Sequence, residues 1–176
     1  MSPDPKEKPL HVLIIGGGIA GLSLAAFLQK ASFHSRAIRR FTSTVYEAYP
    51  PSETAPGPGG FGFAPNGVAA YAPINMIDDI IRLSGISDGM ICLTDSGSKL
   101  ASWKIDKTEY EYPLVFILRD DLLRLLRDRI EPTLSKIEYS KRLVNVEDLG
   151  DKVVAHFADG SSAEGDILIG ADGSFS

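Results

Sequence analysis

The segment His11–Ser32, HVLIIGGGIAGLSLAAFLQKAS, constrains this chain more than any other. A short β-branched run reads as a fully buried parallel strand, and the stretch after Gly21 continues without Gly or Pro at helical length. Between them Gly16, Gly18 and Gly21 fit the spacing G-x-G-x-x-G. Gly16 permits a sharp turn, Gly18 lets a backbone approach a pyrophosphate, and Gly21 lets helix and strand pack closely. A diphosphate is then received by the unpaired N–H groups and the positive end of the helix dipole. In this strand-turn-helix context the pattern points to dinucleotide binding; a purely structural turn is the alternative.

A dinucleotide site of this kind needs an acid at the end of the next strand, to accept the adenosine ribose hydroxyls. Ser43–Ala48, STVYEA, reads as that strand and supplies Glu47. Strand, glycine turn, helix and strand make a βαβ unit, the seed of a parallel sheet. Glu47 stands 26 residues after Gly21, where about 20 is usual. The excess, SFHSRAIRRFTS, carries Arg36, Arg39 and Arg40. Those arginines read either as a solvated basic face on a longer connection or as a set for the 2′-phosphate of NADP. Glu47 would repel that phosphate, which favours the first reading.

Composition narrows the function classes. A net charge of −5 argues against a nucleic-acid partner held by phosphate neutralisation. The lone Cys92 excludes an internal disulfide and a multi-thiolate metal site, and reads as a small buried apolar residue. His11, His34 and His156 have no ligand-like spacing. No stretch of about 18 apolar residues is present, and the polar, proline-rich residues 1–9 read as a disordered lead without a signal-peptide core. The expected location is cytoplasmic. One domain over residues 10–176 is expected from the length.

Further along, Tyr49–Gly67 is a Pro/Gly-rich loop long enough to suggest function. Asn66 is placed to cap the following helix, which Pro73 must kink or break. A hairpin is expected around Asp95–Ser98, then a strand and a helix bearing Leu122, Leu125, Leu126 and Ile130. The remainder reads as two antiparallel strands turning at Asp159-Gly160 and a buried strand at Ile167–Ile169. Trp103 and the tyrosines have no motif around them and read as packing residues.

The end of the chain, DGSSAEGDILIGADGSFS, places Gly170-Ala171-Asp172-Gly173 after that strand, with Ser176 closing the motif. Together with the glycine turn it resembles the class A FAD-dependent monooxygenases, the p-hydroxybenzoate hydroxylase-like family. GFGFAPNGVAAY is similar to that family's glycine-containing loop and Pro-Asn helix start beside the isoalloxazine, with Gly60 in it. LRDDLLRLL is similar to its R-x-x-L-x-x-x-L helix start, with Arg119 at the arginine that reaches FAD. The resemblance runs from Val12 to Ser176 in the family's order.

The resemblance implies an α/β fold: a Rossmann-like FAD-binding domain with a parallel sheet, a β-meander and part of a substrate-domain sheet. It implies Gly16, Gly18, Gly21, Glu47, Gly60, Arg119, Asp172 and Gly173 as cofactor residues, Asp172 and Gly173 beside the flavin diphosphate. It also implies FAD as cofactor, NAD(P)H as transient reductant, and hydroxylation or epoxidation of a small organic substrate with O2. The hard chemistry belongs to the cofactor, and no catalytic acid or base is assigned. The family's later half, with most of its substrate sheet, has no counterpart here. The chain is therefore expected to be the N-terminal portion of a longer enzyme or a truncated product. Two rivals remain: another FAD oxidoreductase of the same cofactor fold, and a non-catalytic FAD-binding fragment.

Overall fold

The computed structural model describes residues 8–34, 40–51, 59–105 and 109–173. Of the expected lead, residues 1–7 lie outside the described residues, as do Arg36, Arg39, residues 52–58 of the Pro/Gly-rich loop and Ser176. In chain order the elements begin β1 (Leu10–Ile15), α1 (Ile19–His34), β2 (Phe41–Tyr46), β3 (Gly60–Phe63) and α2 (Pro65–Ala69). A 3-10 turn (Ala72–Ile74), α3 (Ile77–Arg82), β4 (Gly85–Ser87), β5 (Gly89–Leu93), β6 (Lys99–Lys104) and β7 (Leu114–Leu118) follow. Then come α4 (Arg119–Asp128), β8 (Ser135–Glu138), β9 (Leu143–Asp148), β10 (Val153–Phe157), β11 (Ser162–Gly165) and β12 (Ile167–Gly170).

The chain divides into two compact units, residues 1–57 with 126–176, and residues 58–125. The first is a parallel sheet in the order β12-β1-β2-β8, accompanied by the antiparallel meander β11-β10-β9. Successive side chains of a strand face opposite sides, so β1 needs apolar cover on both. Leu13 and Ile15 pack with Tyr46, Ala155 and Phe157 in one cluster. Val12 and Ile14 are equally buried, and Ile14 reaches α1, where its Cγ2 would lie 3.2 Å from a Cβ built on Gly21. Burial on both faces explains why LHVLII has no polar alternation.

Helix α1 extends to His34, which absorbs part of the excess length before Glu47. Its buried Gln29 accepts the Glu131 N–H through Oε1 at 2.8 Å, tying the helix to the turn before β8.

The second unit contains the antiparallel sheet β3-β7-β4 and the separate hairpin β5-β6. It buries Val68, Met76, Ile80, Val115, Ile117 and Leu122. Pro73 does interrupt the helical stretch: α2 ends at Ala69, and Pro73 sits in the 3-10 turn.

Several expectations are corrected. Asn66 does not cap α2; Ala64 is the capping residue, and Pro65 opens the helix with Asn66 already inside it. Proline suits the first helical position because its missing N–H would have had no partner there. Residues 60–63, read as part of a loop, form β3, since β7 offers them a ladder. KIEYSKRLVNVEDL is two strands in different sheets, β8 and β9, separated at Ser140, whose φ of +59° turns the chain. Ile167–Ile169 is not fully buried: β12 is the edge of its sheet, and Ile167 is 40% exposed. Cys92 is only half-buried, and Trp103 is 47% exposed, because the β5-β6 hairpin has two strands and a side facing away from any cover.

Candidate functional site

At the carboxyl ends of β1, β2 and β12 the first unit gathers six of the eight residues singled out in the sequence. The Gly16 N–H donates to the Tyr46 carbonyl at 2.9 Å, and the Ala171 N–H donates to the Ile15 carbonyl at 2.7 Å. These bonds carry the β1 ladders one residue beyond the strand on both sides, so the glycine turn begins between β2 and β12.

Each glycine has a distinct environment. Gly16 has a φ of +111°, and a Cβ there would strike the Ala171 carbonyl and lie 2.9 Å from the Asp172 Cα. At Gly21 a Cβ would strike the Gly16 carbonyl oxygen, so the absence of a side chain is what lets α1 start close against the turn. At Gly18 a Cβ would meet nothing within 4 Å. No internal contact requires glycine at Gly18; its bare backbone faces open space.

The amides of the first turn of α1 have no intrahelical acceptors, and that turn carries no acidic residue to neutralise the dipole's positive end. The cradle therefore has the shape and polarity for a diphosphate: a free helix end beside a residue with room for close approach.

Glu47 lies one residue beyond β2 and is held on every polar side. Its Oε2 accepts the Gly17 N–H at 2.8 Å, and its Oε1 accepts the Tyr49 N–H at 2.9 Å. Its own N–H donates to the Glu138 carbonyl, and its carbonyl accepts the Lys141 N–H, both at 2.8 Å. A carboxylate has about four lone-pair sites, so each oxygen keeps capacity for a further hydroxyl donor. Lys141 is itself anchored: its Nζ reaches Asp159 Oδ2 and Ser161 Oγ, both at 2.7 Å. The Lys141 hydrogen bond first, and then those that the Ser161 hydroxyl and N–H donate to Asp159 Oδ1, hold the Asp159 carboxyl well below the usual carboxylate range.

Asp172 is exposed beside Gly16, and Gly173 has a φ of +92°, a conformation glycine adopts without strain. Gly60 and Arg119 belong to the second unit, where they are neighbours. Gly60 pairs with Leu118 across β3 and β7, and the Arg119 N–H donates to the Gly59 carbonyl at 2.7 Å. Arg119 does not pair with the adjacent acids; Asp121 instead binds Arg124 at 2.7 Å.

Sequence reasoning missed three residues that the structure brings to Glu47 or to its neighbour Tyr49. Gly17, an unspecified position of the glycine pattern, provides the amide that orients Glu47. Tyr49 is tied to Glu47 and was legible only as a residue two places after the acid. The Arg142 guanidinium carbon lies over the Tyr49 ring, 5.3 Å from its centroid, and gave no local signal.

Residues 9–176 match the FAD binding domain family. The chain belongs to that family. Over nearly its whole length it is similar to part of FAD-dependent monooxygenase chains. The FAD-dependent monooxygenase atnA of Arthrinium sp is 33% identical over 174 residues, covering 94% of this chain and 21% of that one. The structure of Klebsiella pneumoniae HpxO complexed with FAD and uric acid aligns with a TM-score of 0.75 at 29% identity, over 93% of this chain and 39% of that one. Pseudomonas putida p-nitrophenol 4-monooxygenase PnpA, at 18% identity and a TM-score of 0.80, supports the fold alone, over 97% of this chain and 42% of that one. This FAD binding domain thus spans about a fifth to two fifths of these relatives' lengths. Among its described residues no helix is long and apolar enough to cross a membrane, and no cluster of metal-ligating side chains occurs.

Proposed function

We propose that this FAD binding domain holds FAD in extended form, with the diphosphate on the Gly16–Gly21 turn and the adenosine ribose on Glu47. The observation carrying this reading is the arrangement around Gly17. Its amide fixes the Glu47 carboxylate beside a helix end whose neighbouring Gly18 faces open space. Gly16 and Gly21 let the turn close, and Gly173 lets the chain bend after Asp172. Asp172 lies beside the turn as a second polar group toward the diphosphate region. In the second unit, Arg119 offers a guanidinium with five donors beside Gly60, and the family match supports a cofactor-binding role for both.

When bound, FAD supplies the redox chemistry. This chain's residues bind and orient it: the helix end balances phosphate charge, and Glu47 selects hydroxyls over a 2′-phosphate. For the whole protein the proposed activity is monooxygenation of a small organic substrate with NAD(P)H as reductant and O2 as co-substrate, in the cytoplasm. Its relatives are FAD-dependent monooxygenases, and HpxO is complexed with uric acid.

The test is equilibrium dialysis of the chain with FAD, followed by NAD(P)H oxidation under air. FAD binding that Arg119→Ala and Glu47→Ala each weaken, with FAD-dependent oxidation, supports the full reading. FAD binding without oxidation favours a non-catalytic FAD-binding fragment. No FAD binding removes the assignment.

A further inference from the structure

The amino edge of the parallel sheet carries a cleft of about 460 Å³, within the range of about 300–1,000 Å³ usual for small-molecule sites. His11 and Thr42 line it from β1 and β2, and Gly165 lines it where β11 ends. A Cβ on Gly165 would lie 3.0 Å from the His11 carbonyl oxygen and 2.7 Å from the Leu13 Cγ, so glycine lets the meander close against β1 there. His11 and Gly16 are five positions apart (16 − 11). At about 3.3 Å per residue, that length of strand separates the cleft from the glycine turn by about 16 Å. The cleft therefore lies outside the cofactor cradle.

The charged side chains of the cleft balance. Lys8 and Lys152 bring two ammonium groups, and Glu164 and Asp166 bring two carboxylates. The His11 ring is already engaged, with Nδ1 2.9 Å from the Thr42 hydroxyl and Nε2 3.2 Å from that of Thr44. Asp166 is fixed to the start of β1: its Oδ2 accepts the His11 N–H at 2.6 Å, and its own N–H donates to the His11 carbonyl at 2.9 Å. Among the described residues Asp166 Oδ1 has no donor and the Lys8 ammonium has no partner. Lys152 Nζ meets Glu164 Oε2 at 3.1 Å, but both side chains are more than half exposed, and such a pair contributes little. A simple anion entering the cleft meets two carboxylates, and a simple cation meets two ammonium groups. A molecule carrying both charges finds an opposite partner for each.

We propose that this cleft binds a small zwitterion, an α-amino acid with an apolar side chain. The carboxylate of the amino acid pairs with the Lys8 and Lys152 ammonium groups, and its ammonium pairs with Asp166. Its hydrocarbon body lies along Pro9 and the Thr42 methyl group, which line the same cleft. The site stands apart from the FAD reading, because none of its residues belongs to the glycine turn or contacts Glu47.

The experiment titrates leucine, 4-methylpentanoate and 3-methylbutylamine into the chain by calorimetry, and repeats the leucine titration with Lys8→Gln and Asp166→Asn. The two analogues keep leucine's hydrocarbon body, and each lacks one of its charges. Melting temperatures verify folding: Lys8 is exposed, and asparagine at position 166 keeps an oxygen for the His11 N–H. The expected result is that leucine binds, with each analogue and each variant weaker by about tenfold or more, the scale of one lost charge-assisted contact. Absence of leucine binding overturns the proposal. An analogue that binds as tightly as leucine overturns it too, since one charge would then suffice. Unchanged leucine affinity in the folded variants also overturns it, since the amino acid would then lie elsewhere.

Discussion

The Gly17 amide and the Glu47 carboxylate meet at 2.8 Å, joining the turn after β1 to the residue after β2. The bond makes an acid at the end of one strand a structural part of the glycine turn on its neighbour. Glu47 is therefore constrained before any cofactor arrives, and the cost of orienting it is met during folding.

Removing the carboxylate should affect binding more than folding. In Glu47→Gln one of the two backbone donors, Gly17 or Tyr49, would face an NH2 group rather than an oxygen. Losing a charge-assisted hydrogen bond costs about 1–3 kcal/mol. We expect a folded protein with a modestly lower urea midpoint and FAD affinity reduced about tenfold or more. Equilibrium dialysis and urea denaturation check both.

The glycines should separate into two classes. Gly21→Ala puts a methyl group into the Gly16 carbonyl, and both partners are backbone. A loss of about 3 kcal/mol or failure to fold is expected, in the range of strained or overpacked sites. Gly18→Ala meets open space, so its melting temperature should stay near that of the parent while FAD affinity drops. Thermal melts of the two variants side by side decide this.

The core under the glycine turn should be sensitive to truncation. Leu13 is fully buried between the β1 ladders and packs with Tyr46, Ala155 and Phe157. Leu13→Ala should cost about 2–5 kcal/mol, read as a lowered urea midpoint by circular dichroism. Gly165 also approaches Leu13, where a Cβ would lie 2.7 Å from its Cγ, so Gly165→Val should damage the same packing.

Acid should weaken the opposite, amino end of β1. The His11 ring sits between Thr42 and Thr44, with Nδ1 2.9 Å and Nε2 3.2 Å from their hydroxyls. Burial lowers its pKa; Asp166 pulls upward, and Lys136 and Lys8 push further down. A histidine whose folded pKa lies below its free value near 6.5 resists protonation in the fold. The unfolded chain takes up protons first as pH falls through about 6.5, so stability falls in that direction and levels off only below the folded pKa. His11→Gln should flatten the urea midpoint between about pH 7.5 and pH 5. The imidazole C2–H resonance of His11 should titrate below its value in the unfolded chain.

What could be read from the sequence was local. The β1–α1–β2 unit follows from an apolar run, three spaced glycines and an uninterrupted helical stretch. Each depends on neighbours within a few residues, and the requirements at Gly16 and Gly21 are steric facts of that turn. The break at Pro73, the Asp95–Ser98 hairpin and the helix from Arg119 were legible for the same reason. Asn66 misled, because an Asn before an apolar run signals a cap only if proline has not already opened the helix.

What only the tertiary structure decided was which distant segments share an edge. β12 pairs with β1, and His11 and Asp166, 155 positions apart, bond backbone amide to carboxylate at 2.6 Å. Any apolar β-branched run can supply a ladder, so the choice of partner rests on the side chains that cover both faces of β1. The same choice left Ile167 at an edge and divided Lys136–Leu149 between two sheets. It also carried Arg142 to Tyr49 through a single left-handed residue, Ser140. Backbone pairing carries no residue code over such distances; packing on both faces of the central strand supplies it.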